Sequence, residues 1–325
     1  MQANYKVWEM DHIINSPKPN EVDAPLVMEL SEPNDLNKLS LWDIDFRQIE
    51  PGQMKTVIRA RSGNSVNLIE LGISKAVHQN GVSPKGKISL GLPCQDSLST
   101  WQGQNMETAQ LVSFGSSDEF DGVGFGEFRG TTISIDVQEA ERLADMLGFD
   151  IPSALRRSVR YDVDEKSESL AALKKISGRL LNNASVSVLH EEEAIISNVL
   201  IAATSFEQTT DKSSPKSRSR AVKKAIEMMI SSEGESLEVS QICHEIGVSW
   251  RTLDRAFSEK FGISPKQYYL RMRLNWVRTD LLQRAPGDSI SDIINGRGYW
   301  HMGKFAQDYY KMFDELPSRT TVNLG

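Results

Sequence analysis

The chain has 325 residues and an ordinary 39% apolar content, enough for two domains that each bury a core. Its net charge of −7 argues against a nucleic-acid partner only until it is divided: residues 1–208 hold 19 Lys and Arg against 30 Asp and Glu, and residues 209–325 hold 18 against 14. An acidic front with a mildly basic rear suits a tail that touches phosphates, and two distant cysteines, Cys94 and Cys243, exclude a disulfide framework.

Met1 to Met10 carries Glu9 and lacks an apolar run of signal-peptide length, so a cytoplasmic location is expected. From Lys38 to about Ile135 short runs rich in Val, Ile, Phe and Thr alternate with turn residues. Leu41 to Phe46 alternates before the Pro51-Gly52 turn, and Lys55–Arg61 and Val66–Ile73 flank Ser62-Gly63-Asn64 as a hairpin. Gly81 to Gly86 breaks the next pair, and Lys87–Leu92, Ala109–Phe114 and Arg129–Ile135 complete a sandwich or small barrel. Asp136 and Glu139 then predict a capping box for a helix ended by Gly148.

Leu170, Leu173, Ile176, Leu180 and Leu181 recur at helical steps and form one face. Ile195, Ile196, Val199, Leu200, Ala203 and Phe206 cover more than one, so that helix needs two neighbours. Either it packs on the β-rich domain or the helical pair carries a homodimer contact. Its apolar stretch, Ala194 to Ala203, is broken by Ser197 and Asn198 and is shorter than the roughly 20 residues that span a bilayer, so no membrane partner is expected. Residues 209–219, reading TTDKSSPKSRS, predict a linker between a front domain (1–208) and a rear domain (220–325).

The rear domain contains two segments that each read as helix, tight turn, helix. In the first, Val239, Ile242, Cys243 and Ile246 support, Gly247 turns, and Ser249 caps a second helix with Leu253, Ala256, Phe257 and Phe261 inward. Its other face presents Arg251, Thr252, Asp254 and Arg255, which are expected to meet base edges. Asp254 either accepts from cytosine or orients Arg251 or Arg255. A long helix follows from Ser264-Pro265 to about Arg284, with Tyr268, Leu270, Leu274, Val277 and Leu281 as its packing stripe. Lys266, Arg271, Arg273 and Arg278 on it are phosphate-contact candidates, or simply solvated charges. In the second unit Ile290, Ile293 and Ile294 support, Gly298-Tyr299 turns, and His301, Met302, Lys304 and Gln307 would face DNA.

Residues 220–318 resemble the DNA-binding domain of the AraC/XylS family of bacterial transcription regulators. The resemblance rests on Ile246-Gly247-Val248-Ser249, Leu253, Phe257, Gly262-Ile263-Ser264-Pro265, Arg273-Leu274, Gly298-Tyr299, Phe305 and Leu316-Pro317-Ser318. Cys243, Ile294, Gln307 and Asp314 depart from that pattern. It implies a multidomain α+β chain, with a β-rich sensory domain and helical pair ahead of an all-α double helix-turn-helix domain. The implied partners are promoter DNA, RNA polymerase, and a small-molecule or protein effector. No cofactor and no catalysis are expected.

Three other features of the sequence point elsewhere and are weak. Gly122, Gly124 and Gly126 form a GxGxG string with no helix after it, and read as a hairpin or loop. The five histidines show no metal-ligand spacing, and no nucleophile motif occurs. The rival readings are a metal-binding or enzymatic β-barrel with a regulatory tail, and a co-regulator whose tail binds protein.

Overall fold

Alternation of side chains along each strand sorts the front domain into layers. The computed structural model describes residues 25–320 apart from residues 31, 40–41, 95–98, 107–109, 163, 165, 209–215 and 233–236. Its strands are β1 (Leu26–Leu30), β2 (Asp43–Gln48), β3 (Thr56–Ser62), β4 (Val66–Ile73), β5 (Val77–Val82), β6 (Lys87–Pro93) and β7 (Ser99–Trp101). They continue as β8 (Gln104–Asn105), β9 (Gln110–Phe114), β10 (Glu119–Gly124), β11 (Phe128–Asp136), β12 (Arg160–Asp162) and β13 (Glu207–Gln208). The front helices are α1 (Leu36–Leu39), α2 (Val137–Leu147), α3 (Glu168–Asn182) and α4 (Glu192–Thr204).

Eight strands pair in the order β1-β3-β4-β11-β6-β9-β12-β13, and five in the order β2-β5-β10-β7-β8. The two sheets stack over Trp42, Ile44, Phe46, Ile58, Trp101, Phe114 and Phe120, where the aromatic rings meet edge to face. The opposite face of the large sheet sends Val66, Leu68, Leu90, Ile133 and Ile135 into the helical layer. There α4 is covered on both apolar sides by α2, α3 and the sheet, so packing within one chain accounts for its breadth.

Several expected elements shift. Strands β1, β5, β7, β8 and β10 escape the sequence reading because they are short or carry polar residues and glycine along one face. Gly122 and Gly124 lie within β10, and Gly126 turns the chain at φ +61°. The capping box at Asp136 does not form: its carboxylate pairs with Lys87 at 2.7 Å, and Glu139 pairs with Arg142. Leu41 and Ala109, expected at strand ends, lie outside the described residues.

Two contacts fix the helical layer to the large sheet. Glu192 accepts from the backbone N–H groups of Ser65 and Val66 at 2.7 and 3.1 Å, an approach so close that a Cβ on Gly63 would stand 2.3 Å from that carboxylate. Arg61, only 2% exposed, donates to the carbonyls of Leu180, Asn183 and Val186 at 2.8, 3.1 and 2.6 Å.

The rear domain comprises α5 (Lys216–Ser231), α6 (Val239–Ile246), α7 (Trp250–Phe261), α8 (Pro265–Gln283), α9 (Ile290–Gly296) and α10 (Met302–Phe313). Helix α5 starts inside the stretch read as linker, so residues 216–219 are helical, while residues 209–215 lie outside the described part. It buries Val222, Ala225, Ile226 and Met229 against α6 and α7.

Replacing Arg61 by alanine leaves the carbonyls of Leu180, Asn183 and Val186, of which the first is buried, without this donor, and is expected to destabilise the front domain by about 2 kcal/mol. Urea unfolding measures this; an unmoved midpoint would mean that water takes the guanidinium's place.

Candidate nucleic-acid interface

Each helix-turn-helix unit is built by local rules. Glu238 and Gln241 close a capping box on α6, and Gly247 ends that helix in the left-handed region at φ +69°. The Ser249 hydroxyl then accepts from the N–H of Thr252 and starts α7. Ser264 and Gln267 cap α8 in the same way, with Pro265 in its first turn. In the second unit Ser289 caps α9, and Asp314 ends α10 at φ +57°, a conformation that Asp tolerates.

Helix α8 belongs to two cores. Tyr268, Tyr269 and Met272 pack with Leu253, Phe257 and Phe261 of the first unit. Leu274, Val277 and Leu281 pack with Ile294, Phe305, Tyr309 and Phe313 of the second. The second helices of the two units, α7 and α10, are therefore fixed to opposite ends of one rod.

The expected base-facing residues divide. Arg251, Thr252, Arg255, His301, Lys304 and Gln307 are exposed, and Asp254 is half-buried. Arg255 donates to Glu259 at 2.8 Å, and Lys304 pairs with Asp308 at 3.1 Å, each one turn along its own helix. Met302 departs from expectation, because it leans on the core of the second unit.

Of the phosphate-contact candidates only Lys266 stands exposed. The other three differ from expectation, since each guanidinium is taken up inside the molecule. Arg271 donates to the Ile49 carbonyl of the front domain. Arg273 donates to the Arg297 carbonyl at 2.7 Å and lies 4.2 Å from the Tyr299 ring centre. Arg278 bridges Glu32, at 2.6 Å, and Glu315. Burial alone would lower its pKa, but the carboxylates outweigh burial and hold the charge in place.

These contacts belong to a polar interface that sequence reasoning missed. The outward faces of β2, β5 and β10 carry Asp45, Arg47, His78, Asp121 and Val123; Arg47, His78, Asp121 and Val123 meet the rear domain, while Asp45 stays partly exposed beside Arg47. Asn275 on α8 completes the edge of β2, accepting from Gln48 N–H at 3.1 Å and donating to Gln48 C=O at 3.0 Å. Gln48 and Gly52 both donate to the Met312 carbonyl, at 3.3 and 2.9 Å, so the front domain also holds the end of α10.

At the centre lies His78, 1% exposed. Its Nδ1 is 2.7 Å from the Tyr268 hydroxyl and its Nε2 is 3.0 Å from Asp121, whose other oxygen meets Lys260 at 2.6 Å. Neutral imidazole satisfies both contacts: Tyr268 donates to Nδ1, Nε2 donates to Asp121, and Arg47 donates to the Tyr268 oxygen at 3.4 Å. Burial lowers the His78 pKa, against the pull of Asp121. Burial also pushes the Tyr268 phenol up to about 12. For Asp121 burial works upward, but the His78 hydrogen bond and the Lys260 ammonium together hold it below the usual carboxylate range. The sequence displays His78 as a lone strand histidine, and nothing in it reveals a partner 190 residues away.

Among the described residues, two of the cavities that border this interface bear on function. One, of about 90 Å³, lies between the sheets and is lined by Trp42, Ile44, Trp101, Phe114 and Phe120. The other is an open cleft of about 940 Å³ between the domains, with Asn80, Glu119, Lys223 and Arg255 on its walls.

An undocked His78 regains its ordinary pKa near 6.5 and takes up a proton that the docked site rejects. The docking energy is thus fully present above pH 6.5 and falls as pH drops below it. Amide exchange in residues 265–275, corrected for intrinsic rates, is expected to accelerate several-fold between pH 7.5 and 5.5, and H78N should lack that response. Equal protection at both pH values would remove His78 from the interface energetics.

A family profile described as a helix-turn-helix domain matches residues 242–322. The probable thc operon regulatory protein of Rhodococcus erythropolis is 30% identical over 98 residues, 30% of this chain and 30% of that protein. The XylDLEGF operon transcriptional activator 3 of Pseudomonas putida is 30% identical over 87 residues, 26% of each. The match thus spans less than a third of the length of these curated relatives. A solved transcriptional regulator of Chromobacterium violaceum, described as AraC-type, is 31% identical over 31% of this chain and 88% of that one, with a TM-score of 0.29. Residues 242–322 thus form a helix-turn-helix domain similar to those of these transcription regulators.

Proposed function

We propose that the chain regulates transcription by binding double-stranded promoter DNA sequence-specifically through α7 and α10. The observation that carries this is α8, a 19-residue rod shared by both cores. At 1.5 Å per residue it is about 28 Å long, which suits two readers set about 34 Å apart in successive major grooves. Arg251, Thr252, Asp254 and Arg255 are the first unit's base readers in this account. His301, Lys304 and Gln307 serve the second, and Lys266 a phosphate.

The front domain is the control half. Its apolar cavity suits a small apolar effector better than a charged one. Strands β2 and β5 line that cavity with one face and grip α8 with the other, so an effector that shifts them alters how the readers are held. The P. putida relative is named a transcriptional activator, which favours activation and RNA polymerase as a further partner. The helical layer leaves Met146, Leu147, Leu189 and Ile201 exposed, and these are the candidates for a homodimer contact. The domain division at residues 209–215 is likewise part of this proposal.

The metal-binding alternative has no favouring observation: among the described residues no group of three His, Cys, Asp or Glu side chains is placed to hold an ion. No helix among them is long and apolar enough to cross a membrane.

Duplexes enriched by the full-length chain from a random library are expected to bind with steep salt dependence. R251A/R255A should weaken that binding by roughly tenfold or more. Undiminished affinity would dismiss those two readers, and failure to enrich any duplex would dismiss the function. Sedimentation is expected to show a dimer that L189D/I201D splits; a wild-type monomer at every concentration removes that contact.

A further inference from the structure

Most aromatic side chains of the rear domain are buried in its two cores, yet Trp250 is 48% exposed and Trp300 is 75% exposed. One exposed indole requires no explanation. Their places are not equivalent, since Trp250 is the first residue of α7, directly after the Ser249 cap, and Trp300 stands one residue before α10, directly ahead of its N-cap His301, but both lie at the leading end of a helix. The leading end of each reading helix therefore carries a large apolar plate in water.

The surroundings say what covers those plates. Neither α7 nor α10 has an acidic residue in its first turn, where acids ordinarily offset the helix dipole. Exposed Arg251 follows Trp250, and exposed Lys304 lies one turn beyond Trp300. Two helix N-termini left positive and flanked by cations fit a polyanion. A polyanion that also presents apolar groups at the depth reached by a helix N-terminus is duplex DNA, through the C5-methyl of thymine. The second unit has particular need of such a contact, since Met302 is drawn to the core and Gly303 has no side chain to offer.

We propose that Trp250 and Trp300 are specificity-determining residues, each placing its indole against a thymine methyl in the groove entered by its helix. This rests on the DNA-binding reading and deepens it: both half-sites are selected partly by apolar contact, beside the hydrogen bonds of Arg251 and Gln307.

The test removes the methyl without touching the protein. Duplexes enriched from a random library by the full-length chain are resynthesised with deoxyuridine for thymidine, and affinities for both forms are compared. A methyl contact is worth about fourfold, so uracil substitution is expected to weaken wild-type binding roughly tenfold. W250A and W300A should each weaken binding to the thymine form several-fold and lose part of the uracil response; the double variant should bind both forms equally. Both residues are exposed, and circular dichroism checks that the variants fold. Equal wild-type affinity for the two forms, or variants that keep the full uracil response, would overturn the assignment. Variants that bind DNA normally but fail to activate transcription would overturn it in favour of a protein partner. Failure of the wild-type chain to enrich any duplex is a separate result, which rejects the DNA-binding reading itself.

Discussion

Helix α8 supplies apolar side chains to two cores at once, so a shift of α8 in one core is carried into the other. Protein interiors tolerate little volume change, so this shared membership converts close packing into a fixed separation between α7 and α10. The caps at Ser249, Ser264 and Ser289 then settle where each helix begins and hence which side chains lead. Packing sets the distance between α7 and α10, and the Ser249 hydrogen bond sets where α7 begins, whereas His301 makes no side-chain cap bond to α10.

The front domain adds an outside brace to that rod. Asn275 joins α8 to β2, Tyr268 reaches His78 on β5, and the Met312 carbonyl at the end of α10 receives two donors from the β2 side. Both helix-turn-helix units are thus touched by one sheet. Because the same strands turn Ile44, Phe46 and Gln79 toward the opposite sheet, a change inside the front domain has only one strand's thickness to cross. That path is contiguous and made of packed strands and hydrogen bonds, which is the kind of medium able to carry coupling.

The rear domain was far more legible than the front. Its signals are local: the Ser caps, the glycine turns and the three- and four-residue apolar spacing all act within one or two helical turns. The strand runs 55–61 and 66–73 were legible for the same reason, being joined by a three-residue turn. Strands β5 and β10 were not, because Gly81, Gly122 and Gly124 interrupt them and their outward residues are polar. Nor did sequence reveal that Arg271, Arg273 and Arg278 are engaged within the molecule. A cation's type is written locally, but its partner here stands up to 246 residues away. Asp136 shows the reverse error, a correct helix start whose expected cap is diverted to Lys87.

The polarity of the braced sheet face bears on how the protein is made. On the ribosome β2, β5 and β10 emerge more than a hundred residues before α8, and their outer face stands bare until the tail arrives. An apolar face in that position would invite premature association with neighbouring chains. One on which Asp45, Arg47, His78 and Asp121 surround Val123 is mostly polar, so the nascent front half can wait for the rear domain.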